Sequence, residues 1–283
     1  MRSILTQKGL RAGQTVWLLV VICLMASFSA HAQTQTQFSV NRQSIILSAN
    51  PGEEIVGSFR VSNHSDEPLQ MRVTPVDYTM DPRGQIVTPE AGTTDGSLLP
   101  YLVLAPTQFS IEPGGFVDVQ YVVNVPEDFT GSRWIAFLTR AEGGEPAAVQ
   151  EQRQADGTSI QFRFQVVYRT LLVVTAKGTE EPRASLLSLR RVIDGDSTEF
   201  HVVVRNDGNS FFRASGRVEI RDASGQAVKT YSLARRGLLP GHFGTLVADA
   251  GEMGLAQGEY LALAIVDFEG DHLIAGQLRF RIE

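Results

Sequence analysis

Phe59-Arg60-Val61-Ser62-Asn63 and Val202-Val203-Val204-Arg205-Asn206 follow one pattern: a strand-like run closes on Asn, and a polar turn comes next. A second pair lies downstream. Ile111-Glu112-Pro113-Gly114-Gly115-Phe116 resembles Leu238-Leu239-Pro240-Gly241-His242-Phe243. From that Pro to the next aromatic strand opener, Trp134 or Tyr260, the spacing is nearly equal in the two halves. The stretch from Asn63 to Pro113 is longer than that from Asn206 to Pro240, with the excess around Asp77–Pro100. The spacing predicts one unit used twice, with an insertion in the first copy. Shared turn chemistry alone can mimic such a repeat.

Periodicity says what the unit is. Ile55, Gly57, Phe59 and Val61 alternate with mostly polar neighbours, and Phe116-Val117-Asp118-Val119-Gln120-Tyr121-Val122-Val123 is rich in β-branched and aromatic residues. Ile160, Phe162, Phe164 and Val166 alternate with Gln161, Arg163 and Gln165. Period-two spacing sends one set to a core face and the other outward. Nine of the twelve prolines fall between Pro51 and Pro126, which leaves no room there for a long helix. The fold class predicted is all-β: two immunoglobulin-like β-sandwich domains in tandem. Ala141 to Thr158, nearly devoid of large apolar residues, reads as a long exposed loop. Lys177 to Arg183 reads as a short polar linker stiffened by Pro182. Asp194-Gly195, Asn206-Asp207-Gly208 and Ser224-Gly225 read as hairpin turns.

The first residues read as an export signal. Arg2, Lys8 and Arg11 precede the apolar run Val16–Met25, and Ala30-His31-Ala32 is a small-x-small cleavage site. The run is short for a membrane span of roughly 20 residues. Domain boundaries follow: 1–32 signal peptide, 33–178 first sandwich, 183–283 second. Removing 32 of 283 residues leaves 251, with 22 basic against 31 acidic side chains, a net charge of −9. Cys23, the single cysteine, leaves with the signal. The mature chain is then expected outside the cytoplasm, periplasmic or secreted, without disulfides or a further membrane span.

These counts exclude several chemistries. The acidic balance argues against a nucleic-acid binder. No thiol catalyst remains after processing, no G-x-S-x-G elbow appears, and His64, His201, His242 and His272 show no metal-ligand spacing. Each of these histidines reads as a loop or surface residue. Asp194-Gly195-Asp196 reads as a turn rather than a calcium loop. Neither a cofactor, a metal nor an enzyme activity is expected.

Five short motifs stand in a telling order: Phe38-Ser39-Val40-Asn41-Arg42, then Val61-Ser62-Asn63, then Leu104-Ala105-Pro106 with Ile111-Glu112-Pro113-Gly114, then Phe137-Leu138-Thr139-Arg140, then Val167-Tyr168-Arg169. Together, residues 38–176 resemble the N-terminal domain of periplasmic pilus-assembly chaperones, the PapD-like family. Residues 183–283 resemble a generic bacterial immunoglobulin-like domain more than that family's second domain. The resemblance implies a chaperone that holds an exported, pilin-like subunit by edge-strand pairing, with an outer-membrane assembly protein as a further partner. The lending strand would carry Ile160, Phe162, Phe164 and Val166. The same residues also read as the core face of an interior strand, because alternation alone does not separate the two. The family anchors its subunit's terminal carboxylate with two cations, and the matching positions here hold Ser44 and Gln165. Arg42 and Arg163, two residues earlier on the same strand faces, are the candidate replacements; as solvated surface arginines they would have no such role. The alternative function is an extracytoplasmic structural or adhesion scaffold.

Overall fold

The computed structural model describes residues 37–81, 85–143, 148–153 and 159–283, and of 148–153 and 159–164 the backbone alone. Among these residues there is no α-helix, only a short 3-10 turn at Leu99–Tyr101. The first half of the chain contains, in order, β1 (Phe38–Val40), β2 (Ser44–Ala49), β3 (Glu54–Asn63), β4 (Leu69–Val76), β5 (Thr79–Met80), β6 (Ile86–Val87), β7 (Leu102–Ala105), β8 (Gln108–Ile111), β9 (Phe116–Asn124), β10 (Ser132–Glu142), β11 (Ala148–Arg153), β12 (Ser159–Phe164) and β13 (Val167–Ala176); β5-β6 and β11-β12 form two-stranded sheets of their own, and the rest build the first sandwich. One sheet runs β1-β3-β9-β7 and the facing one β2-β13-β10-β4-β8. The second sandwich contains β14 (Ala184–Asp194), β15 (Ser197–Asn206), β16 (Phe212–Arg221), β17 (Ala227–Leu238), β18 (Phe243–Gly251), β19 (Gly258–Asp267) and β20 (Ile274–Ile282). Its sheets run β14-β15-β18 and β17-β16-β19-β20.

The alternation seen in the sequence sets which side chains meet. On β3, Phe59 and Val61 are buried while Val56 and Ser58 face solvent. Phe59 stacks on Phe137 of the opposite sheet with centroids 5.4 Å apart. In the second sandwich Phe200 on β15 meets Phe280 on β20 across the core at 5.9 Å. Phe59, Phe137 and Phe200 are fully buried, each contributing roughly 1.5–3 kcal/mol, while Phe280 is partly buried. β3 and β15 both end on a buried asparagine, Asn63 and Asn206.

Two expectations change. Ala141 to Thr158 is not one loop: β10 reaches Glu142, and Ala148–Arg153 pairs with β12 as a two-stranded sheet. Strand pairing is a backbone bond and needs no apolar side chains, so a polar composition hides it. Asn206-Asp207-Gly208 is not a hairpin turn either. It carries the chain from β15 in one sheet to β16 in the other. Asp194-Gly195 and Ser224-Gly225 do join paired strands.

A third apolar cluster joins the sandwiches. Trp134 and Val173 of the first pack with Leu239 of the second, flanked by Ile46, Tyr78, Leu171 and Phe211. The insertion between β4 and β7 builds part of this contact. The fully buried Asp77 accepts hydrogen bonds from the Ser97 hydroxyl at 2.6 Å and from the N–H groups of Thr93 and Thr94 at 2.9 and 2.8 Å. Burial pushes this carboxyl up, and the bonds from Ser97 and Thr94 pull it further down, below its ordinary value. The loop so ordered meets β10, where the Trp134 N–H donates to Gly96 O at 2.9 Å.

Candidate functional site

Strand β13 carries the geometry. Its inner face puts Leu172, Val174 and Ala176 into the first core, and Tyr168 meets Phe38 edge-on at 5.1 Å. Its outer face carries Val167, Arg169, Leu171 and Val173. One edge pairs with β10 over nearly its whole length, from Arg140 opposite Val167 to Ser132 opposite Thr175. The other edge is shared unequally. β2 pairs with it in parallel only from Leu171 to Ala176.

The reason lies in the sheet switch at residues 41–43, where the chain leaves β1 for β2 in the opposite sheet. The switch is stitched to β13: the Thr170 hydroxyl donates to Arg42 O at 2.7 Å and the Leu171 N–H to Gln43 O at 2.9 Å. Before Leu171, among the described residues, no strand covers this edge of Val167–Thr170. Peptide groups alternate along a strand, so Val167 and Arg169 turn their N–H and C=O the same way as Leu171, to the open side.

Beyond Val167 the line continues as an arm. β12 pairs antiparallel with β11, Ala148 opposite Phe164 through Arg153 opposite Ser159, and joins neither sandwich sheet. Among the described residues β12 is thus hydrogen-bonded to one neighbouring strand, β11. The backbones of Ile160, Phe162, Arg163 and Phe164 lie on this strand; their side chains lie outside the described residues. Val166 is half-buried and packs against the first core. Gln165 donates its amide to Ala141 O at 2.8 Å.

Where the open edge meets the start of β2 there is an open cleft of about 540 Å³, lined by Gln43, Ser44, Tyr78, Val167, Arg169 and Leu171 among others. Its cation is Arg169, whose guanidinium stands 4.8 Å from the centre of the Tyr78 ring. Arg42 is exposed and does not line this cleft. Its charge acts on Tyr121 of β9, whose phenol burial pushes up and Arg42 draws partly back. The sequence pattern points to Arg42 and Arg163; the structure adds Arg169 and Tyr78 as neighbours lining this cleft. Arg169 was visible only as the last letter of Val167-Tyr168-Arg169, and nothing local ties it to Tyr78.

No protein-family model matches the chain, and no curated protein does. Solved structures do. The YadV chaperone aligns over 87% of this chain and 100% of its own, at 13% identity and a TM-score of 0.39. The class 5 fimbriae chaperone CfaA aligns over 85% and 98%, at 13% identity and a TM-score of 0.42. A complex of the chaperone CsuC with the tip adhesion subunit CsuE, from archaic chaperone-usher Csu pili of Acinetobacter baumannii, aligns over 74% of this chain and 89% of that one, at 13% identity and a TM-score of 0.40. Over most of its length, then, this chain of two β-sandwiches is similar to chaperones of solved structure.

Proposed function

We propose that the protein is a chaperone-like factor of the periplasm that binds an exported, pilin-like subunit by β-strand pairing. The observation that carries the reading is the edge of Val167–Thr170 that no strand among the described residues covers, continued by the β11–β12 arm and stopped at Leu171 by β2. A partner strand laid on that edge gains main-chain hydrogen bonds, and alternate side chains give it register. Left bare, such an edge invites aggregation, which is a reason for a dedicated partner. A strand arriving at Leu171 meets β2 and must end or turn away. If it ends there, its terminal carboxylate lies beside Arg169, whose guanidinium suits a bidentate bond. Arg42 and Arg163 would add positive charge nearby. Ile160, Phe162 and Phe164 would fill a groove in the partner, with Val166 holding the arm to the sandwich. An outer-membrane assembly protein would then receive the loaded complex.

The test is co-expression with an exported subunit encoded beside this protein, followed by co-purification from the periplasmic fraction. The expected result is a one-to-one complex that Phe162→Ser with Phe164→Ser abolishes while the β-sheet circular dichroism stays unchanged. A full complex with the double variant would move the site off the arm. A protein that stays alone with every such subunit would be the scaffold.

A further inference from the structure

His242 sits in the second sandwich where Gly115 sits in the first. The two make the same turn. Gly115 N–H donates to Glu112 O at 2.9 Å and His242 N–H to Leu239 O at 3.0 Å. Their carbonyls accept from the N–H of Asn63 at 3.0 Å and of Asn206 at 2.9 Å. The turn therefore needs no side chain here, yet the second copy carries an imidazole. The sequence reads it as a loop or surface residue; it does stand in the turn between β17 and β18, but it is 6% exposed, inside the contact between the sandwiches. Its ring stands 5.8 Å from Trp134, edge to face, and 6.1 Å from Tyr78, both of the first sandwich.

The Nε2 atom is buried and has no hydrogen-bond partner among the described residues. Beside the ring is a cavity of about 80 Å³, lined by Met80 and Ile86 of the insertion, Leu171 of β13, and Phe211, Arg236 and Leu239 of the second sandwich. The charged and titratable groups facing it are Tyr78 from the insertion and Arg236 from β17; Arg169 of β13 reaches it only through Tyr78. Among the described residues no carboxylate lines the cavity. Asp77, next to Tyr78 in the chain, is engaged by Ser97, Thr93 and Thr94.

We propose that His242 makes the contact between the two sandwiches acid-sensitive: a proton on its ring would stand among Trp134, Tyr78 and Arg236, with no carboxylate among the described lining residues to receive it, and the contact opens. The proposal is independent of what binds at β13. Burial holds the imidazole at about 4, below its ordinary 6.5. The opened state takes up the proton more readily, so the contact is at full strength above the ordinary value. It weakens as pH falls toward about 4, and below that the loss is complete. If opening returns the ring to its ordinary value, the closing equilibrium shifts by about 300-fold at most.

The experiment uses the full chain with Trp17→Phe, which leaves Trp134 as the single tryptophan. Its emission and the radius of gyration from small-angle scattering are followed from about pH 7.5 to about 3.5. The expected result is a red shift of Trp134 and a larger radius, with the far-ultraviolet β signal retained. His242→Phe and His242→Gln should each remove the pH dependence; should the Phe variant lose its β signal at the starting pH, the Gln variant decides. A transition that persists in the variants, or none in the parent, overturns the proposal.

Discussion

Asn63 and Asn206 hold the same place in the two sandwiches and make the same bonds. The Asn63 amide donates to Glu67 O at 2.8 Å and Ile111 O at 2.9 Å, and its Oδ1 accepts from the Ser65 N–H at 2.9 Å. The Asn206 amide donates to Ser210 O at 2.8 Å and Leu238 O at 3.0 Å, and its Oδ1 accepts from the Gly208 N–H at 2.9 Å. Ile111 and Leu238 both stand two residues before the Pro-Gly turn. One amide thus closes its own turn and ties a strand end to a turn far along the chain.

Asn63→Ala and Asn206→Ala each leave two carbonyls and one N–H without these partners in a buried place. We expect a loss of about 2–4 kcal/mol for either. Asp at the same positions keeps the acceptor but removes both donors and adds a buried charge, so it should be no better. Urea unfolding of the four variants measures this, and a loss below about 0.5 kcal/mol in the Ala variants would sink the argument.

These asparagines show what the sequence makes legible. A strand-ending Asn followed at a distance by Pro-Gly repeats because each needs the other, and the repeat carries the two-sandwich fold with it. The alternation along β3 and β9 was equally plain. The β11 strand was not, since Ala148–Arg153 offers no apolar pattern and owes its form to pairing with β12. The open edge was not legible either: it exists because β2 begins to pair only at Leu171, a matter of where the chain changes sheets. The burial of His242 is not legible either, because a lone histidine in a Pro-Gly turn has no local signal beyond that of a loop or surface residue. Setting the two copies of the turn side by side, Gly115 against His242, would have flagged it.

Val167→Pro separates pairing from folding. By the alternation that sends the Leu171 N–H to Gln43, the Val167 N–H faces the open side, so proline there removes no bond to β10. Edge strands tolerate proline in this orientation. The expected stability change is below about 1 kcal/mol, with partner capture lost because the ring blocks the first main-chain bond. Unfolding curves and co-purification on the same preparation check both halves. Capture at the parent level would mean that the edge is not the docking line.

Arg169→Glu tests the cleft. The substitution reverses the cation beside Ser44 and ends the contact with Tyr78. A partner ending in a carboxylate should bind at least ten-fold more weakly, roughly the 1.5–3 kcal/mol of a charged hydrogen bond. A partner whose end is amidated should respond much less. Binding by titration calorimetry of the two forms decides, and equal losses for both would show that Arg169 acts through packing instead of charge.

Gly131→Ala addresses how the sandwiches are held together on the linker side. Gly131 has a φ of +65°, and a Cβ there would stand 2.3 Å from Asn209 O. That carbonyl accepts the Ser132 N–H at 2.8 Å, and the Gly131 N–H is taken by the Thr179 hydroxyl at 2.8 Å. The Asn209 side chain completes the clasp, donating to Thr179 O at 2.9 Å and accepting from the Glu181 N–H at 2.7 Å. Alanine therefore meets both the backbone of the second sandwich and an unfavourable φ, a cost of about 1–3 kcal/mol. Asn209→Ala removes the linker bonds without a clash and should cost about 1–2 kcal/mol. Neither change touches the two cores centred on Phe59 and Phe200, so the loss should fall on the coupling between sandwiches. Calorimetry of the parent is expected to show one unfolding transition and Gly131→Ala two, the pair separating further as the pH is lowered. One cooperative transition in the variant, shifted as a whole, would mean that residues 131 and 209 stabilise the sandwiches themselves and that their contact is held elsewhere.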